Sequence, residues 1–108
     1  MSGLFGANPF RAATLLTGND EAKKLAVWAK GHPIPSYDAA VYRRDDYDYV
    51  MRYSDYGNRS SDYGWEFDHY PVSASRGGSD DVSNLRPLNW RMNAALSNTG
   101  GLGGLLRR

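Results

Sequence analysis

The segment Trp65-Glu66-Phe67-Asp68-His69-Tyr70-Pro71 is an alternating run that closes on an Asp-His pair. Alternation places Trp65 and Phe67 on one face of a strand over residues 65–70. Pro71 lacks an amide donor, so ladder pairing stops there. Residues 71–83 are a loop of Pro, Ser, Gly and Asp that contains Arg76-Gly77-Gly78-Ser79-Asp80-Asp81. Asn84-Leu85-Arg86-Pro87-Leu88 reads as a second short extended segment. Asn89 is a good N-cap, and Leu88, Met92, Ala95 and Leu96 follow at the spacing of a buried helix face. The order is strand, loop, strand, helix, with 15 residues from His69 to Asn84 and 9 from Asn84 to Asn93. In a regular strand Asp68 and His69 project to opposite faces. Both can serve one site only if the strand ends or bulges at this point.

Upstream, Ala22, Leu25, Ala26 and Ala29 recur at helical spacing beside Trp28. Thr17 or Asn19 is available as cap and Asp20 and Glu21 suit the first turn, which predicts a helix to about Lys30 that packs on the core. Gly31 and Pro33 end it, and residues 31–36 read as an extended connector in which His32 is a linker residue. Residues 37–53 alternate Tyr and Val with charge, predicting one or two short strands about a turn near Asp45-Asp46. With no twelve-residue calcium loop around them, Asp45, Asp46 and Asp48 read as a solvated turn. Ser54-Asp55-Tyr56-Gly57 and Ser61-Asp62-Tyr63-Gly64 read as two similar turns, each using glycine for positive φ. Residues 1–18 read as a flexible start and 100–108 as a Gly-rich basic tail, leaving 19–99 as one domain.

The 108 residues suffice for one modest core, and eight Tyr, three Trp and three Phe imply that large rings fill much of it. The chain has no cysteine, which removes disulfides and any Cys-based structural zinc clip. No apolar run approaches the roughly 20 residues of a membrane span. With no recognisable secretory signal, the expectation is a cytoplasmic protein. Net charge is +1, but residues 37–68 carry four bases and eight acids whereas 69–108 carry five bases and two acids. A locally basic C-terminal third fits modest binding to nucleic acid better than a strongly basic clamp does.

The Asp-His pair, the glycine-containing loop, Asn84-Leu85 and the final Asn93 together resemble the HNH endonucleases, over roughly residues 56–97. The resemblance implies an α+β domain with a C-terminal ββα-metal motif, preceded by a helix and short antiparallel strands. It implies a metal-dependent endonuclease acting on DNA, with RNA as the alternative. His69 then corresponds to the general base, Asp68 and Asn93 to metal ligands, and Asn84 to the residue that ties the loop and orients the base.

The chemistry agrees with those residue types. A neutral imidazole, with a pKa near ~6.5, can take a proton from water at neutral pH. Carboxylate and amide oxygens suit Mg²⁺ or Mn²⁺. This chain departs from the family at the helix, where Ala94, Ala95, Leu96 and Ser97 replace the usual basic residue after the motif. Phosphate contacts then fall to Arg59, Arg76, Arg86 or Arg91. Glu66 reads as an outward strand residue, and Ser73 and Ser75 as loop hydroxyls. A noncatalytic nucleic-acid-binding or assembly module is the competing reading. A toxin with an immunity partner, or a phage packaging component, would each supply a partner protein.

Overall fold

The computed structural model describes residues 17–98. The expected flexible start and Gly-rich tail lie, but for its last two residues, Thr17 and Gly18, outside them. The elements, in order, are α1 (Thr17–Trp28), β1 (His32–Pro33), β2 (Tyr42–Arg44), β3 (Val50–Arg52), β4 (Trp65–His69), β5 (Leu85–Asn89) and α2 (Trp90–Asn98). One antiparallel sheet runs β1-β2-β3 and a second consists of β4-β5, so this is a small α+β domain with antiparallel strands. Among the described residues no helix is long and apolar enough to cross a membrane.

Helix α1 does pack on the core, but not by its alanine face. Ala22, Leu25, Ala26 and Ala29 are exposed, and among its described side chains Val27 and Trp28 are buried. The reason is area: an indole and an isopropyl group remove more apolar surface from water than three methyls and one isobutyl group. Trp28 meets Trp65 at 5.0 Å and the edge of Tyr53 at 5.3 Å, and its Nε1 donates to Ala39 O at 2.9 Å. Met51 and Leu85 complete this core, with Tyr53, Phe67 and Val82 packed around it. The aromatic composition had implied as much.

The connector after α1 is a paired strand, since His32 and Pro33 face Arg44 and Arg43 of β2. The turn between β2 and β3 falls at Asp45-Asp46 as expected, but it is not simply solvated. Asp45 is fully buried: Oδ1 accepts the amides of Tyr47 and Tyr49, and Oδ2 that of Asn89, each at 2.9 Å. One carboxylate thus closes the turn and ties it to the end of β5. Burial pushes the Asp45 carboxyl above its ordinary range, against the pull of those three donors.

The two Ser-Asp-Tyr-Gly turns use glycine for different reasons. Gly57 adopts φ 76°, the left-handed region. Gly64 is there for space, because a Cβ would lie 1.9 Å from Asn58 O and 2.9 Å from the Trp90 ring. That close approach lets Gly64 O accept the Trp90 amide at 3.1 Å, where α2 begins.

Asn89 caps α2 as expected, its Oδ1 accepting the Arg91 amide at 2.9 Å. Its Nδ2 also donates to Val50 O and Asp62 O, at 2.8 and 3.0 Å. Leu88 and Leu96 are buried and Met92 half-buried; Ala95, expected on that face, is exposed.

Candidate active site

Strands β4 and β5 pair without a bulge, from Trp65 opposite Asn89 to His69 opposite Leu85. The regular pleat therefore sends Asp68 and His69 to opposite faces, although β4 does end at His69. The residues of the expected site form three groups.

The first is built on the loop between the strands. Asn84 is 8% exposed, and its side chain makes three hydrogen bonds to that loop. Oδ1 accepts the Val72 amide at 2.9 Å, while Nδ2 donates to Val72 O at 2.8 Å and to Ser79 O at 3.0 Å. An amide suits this because it accepts and donates at once. The bond to Ser79 holds the residue next to Asp80, whose Oδ1 lies 2.6 Å from His69 Nε2. The His69 side chain is 26% exposed, and its hydrogen bond holds the Asp80 carboxyl below the usual range. A carboxylate oxygen can only accept, so His69 Nε2–H donates to Asp80 and the ring is held in one orientation. Asp80 had no assigned role in the sequence reading. Its only signal there was a place in a Gly-Gly-Ser-Asp-Asp loop.

The second group is interior. The Asp68 side chain is fully buried, and Oδ2 accepts Arg86 Nε at 2.9 Å. Arg86 also donates from Nη1 to Asp46 Oδ2 at 3.1 Å, and Asp46 Oδ1 lies 2.7 Å from His32 Nε2. The guanidinium stacks 4.0 Å from the Tyr70 ring centre, with Tyr47 5.3 Å away. Burial works to raise the Asp46 carboxyl, but the bonds from His32 and Arg86 outweigh it and hold the group low. Arg86, expected at phosphate, thus faces two carboxylates instead of solvent. Opposed positions in an antiparallel pair share a face, and Asp68 is opposite Arg86. The expected solvated Asp46 and linker His32 belong to the same network.

The third group lies at the start of α2. Asn93 Nδ2 donates to Glu66 Oε1 at 2.9 Å, and Glu66 accepts Arg59 through both oxygens, at 2.5 and 2.8 Å. Arg59 and then burial, in opposition, set the Glu66 carboxyl, with the net effect that it sits below its ordinary range. Glu66 is half-buried and not simply outward-facing. Arg59 and Arg91 flank the Trp90 ring at 5.8 and 5.6 Å, and Arg91 also pairs with Asp62. Arg76 is exposed in the loop, within a 3₁₀ turn over Ala74–Arg76. Of the four arginines, then, Arg59, Arg76 and Arg91 reach solvent and Arg86 does not.

The oxygens of Asp68 and Asn93 are of the kind a hard divalent cation takes. Asp68 Oδ2 accepts a guanidinium N–H inside the protein, and Asn93 gives its Nδ2–H, not its oxygen, to Glu66. Among the described residues no cluster of three His, Cys, Asp or Glu side chains is placed to hold a metal ion.

No protein-family model, curated protein or solved structure matches this chain.

Proposed function

We propose that this chain is an HNH-type endonuclease that hydrolyses phosphodiester bonds of DNA, with RNA the alternative substrate and His69 the general base. The observation that carries the reading is the braced loop. Asn84, immediately before the second strand, ties down the loop carrying Asp80, and Asp80 meets His69 at the end of the first. A base oriented by a carboxylate, on a loop pinned by an amide, is an arrangement suited to activating water. The strand–loop–strand–helix order, with Asn93 reaching from α2 to β4, is also the order the family uses. Dependence on Mg²⁺ or Mn²⁺ rests on the resemblance alone.

The test is nicking of supercoiled plasmid in Mg²⁺, Mn²⁺, Ca²⁺ and Zn²⁺, with EDTA as control. Wild type should cut, and His69→Ala should lose at least the roughly 10²–10⁴-fold that a general base supplies. Undiminished cleavage by purified His69→Ala refutes the assigned base.

A second reading has its own support. The buried Asp68–Arg86 pair neutralises the one charged ligand the resemblance supplies. That favours a noncatalytic nucleic-acid-binding or assembly module with the same architecture. Metal-independent binding of DNA, with no cleavage in Mn²⁺, selects it.

A further inference from the structure

The face of the β1-β2-β3 sheet turned away from Met51 carries Tyr42 and Arg44 on β2 opposite Arg52 and Val50 on β3. Beside them a cavity of about 290 Å³ is lined by Ile34, Tyr37, Tyr42, Arg44, Val50 and Tyr63. None of these residues takes part in the hairpin site. Tyr37 and Tyr63 each stand nearly perpendicular to Tyr42, at 70° and 86°, with centroids 5.8 and 6.1 Å from it. Arg52 lies over the Tyr63 ring at 5.8 Å. Tyr37 is 62% exposed, so the least covered ring stands at the rim.

We propose that this cavity receives one unstacked base of a single-stranded nucleic acid, with Tyr37 as its stacking platform and Arg44 meeting the adjoining phosphate. The inference rests on the nucleic-acid reading above and adds to it a second contact away from the hairpin.

Three observations select this occupant. The volume sits at the bottom of the roughly 300–1,000 Å³ range of small-molecule sites, enough for a single planar ring system. The lining offers aromatic faces and aliphatic Ile34 and Val50, which suit the flat surface every base shares. Arg44 donates to Asp48 O at 3.1 Å and has no carboxylate partner among the described residues, so its charge is available to an anion. Several neighbouring acids are already engaged: Asp45 with three amides, Asp46 with Arg86 and His32, Asp55 with Arg52. A single available cation beside a stacking ring assigns the binding energy mainly to the base. A duplex keeps its bases stacked on one another and cannot offer one to the cavity.

The experiment titrates the full-length protein in EDTA, where no cleavage intervenes, with a short oligothymidylate, an abasic strand of the same length, and a duplex. Binding is read by anisotropy and by the Val50 methyl resonances, which an aromatic base shifts upfield. Oligothymidylate should bind, while the abasic strand and the duplex bind about tenfold or more weakly. Tyr37→Ala should lose about tenfold and Tyr37→Phe should keep wild-type affinity; at the rim, neither change disturbs the core. Arg44→Gln should make the logarithmic salt slope shallower by about 0.7, one phosphate fewer neutralised on a single strand. Equal binding of the abasic strand or duplex, an unaffected Tyr37→Ala, or no binding in EDTA overturns the proposal. Plasmid nicking judges the nuclease reading separately: wild-type cleavage with an inert Tyr37 fails only the cavity, and cleavage that survives His69→Ala fails only the assigned base.

Discussion

Asp68 separates a strut of the fold from a carboxylate held in readiness for a cation, and Asp68→Asn tells the two apart. The substitution keeps shape and keeps an acceptor oxygen for Arg86 Nε, now 2.9 Å from Asp68 Oδ2. It removes the charge. The bond stays charge-assisted, because Arg86 keeps its charge, but it loses the attraction of the opposing carboxylate. The guanidinium then sits in an interior with less opposing charge. Removing one partner of a buried ion pair outright costs about 3–5 kcal/mol. Arg86 is not left so exposed to that penalty, because Asp46 Oδ2 remains at 3.1 Å and the Tyr70 ring at 4.0 Å. A loss of about 2 kcal/mol follows, or about 8–16 °C in Tm for a domain of this size. The assay is urea and thermal unfolding in EDTA, so that no added cation rewards the wild-type carboxylate. A variant as stable as wild type, or more stable, refutes the reasoning. It would mean that Asp68 is carried at a cost to the fold and is explained by something it binds.

Asn84→Ala deletes three hydrogen bonds but leaves loop groups that water can reach, so about 1–3 kcal/mol should be lost, with faster amide hydrogen exchange at Val72. Unchanged exchange there would sink the bracing role. Gly78→Ala should release the same brace, since its Cβ would lie 1.8 Å from Val72 O and 2.7 Å from Asn84 Nδ2; lowered stability and faster Val72 exchange are expected, and a wild-type melting curve contradicts this. The pH profile of Asp45→Asn has a definite sign. A buried acid raised in the folded state binds its proton more readily there, so its share of stability grows as pH falls through the folded pKa toward the unfolded value of about 3.8. Asp46 and Glu66 are lowered and act oppositely, their contributions being lost on acidification below about pH 4.5. Without Asp45, stability should therefore fall more steeply as pH drops. A profile parallel to wild type or shallower, from urea midpoints between neutral pH and the acid limb, rules that out.

Local chemistry was legible wherever one residue's own properties decide the outcome. The Trp65–Phe67 alternation ran true, Pro71 closed the strand, and Asn89 capped α2 because its side chain needs only the next turn's amide. The Asn84 loop tie was implied by the family resemblance, and the structure supplies its partners, Val72 and Ser79, 12 and 5 residues away. Other features depended on partners far along the chain. Asp45 reads as a solvent-facing turn acid until β5, 44 residues later, brings the Asn89 amide to it. Arg86 reads as a surface cation until antiparallel register sets it opposite Asp68, and until the β2–β3 turn adds Asp46 from 40 residues away.

By itself, then, the sequence determined helix α1, the strand–loop–strand–helix order of residues 65–98, the end of β4 and the Asn89 cap. Each of these follows from backbone preferences and from hydrogen bonds spanning a few residues. Only the tertiary structure decided which charged groups face inward. A carboxylate or guanidinium enters the interior only when opposite charge or several amides meet it there, and those come from strands that the chain order does not place side by side. The same packing set His69 against Asp80, paired Asp68 with Arg86 and Asn93 with Glu66, and left Tyr37 and Arg44 lining a cavity beside the other sheet.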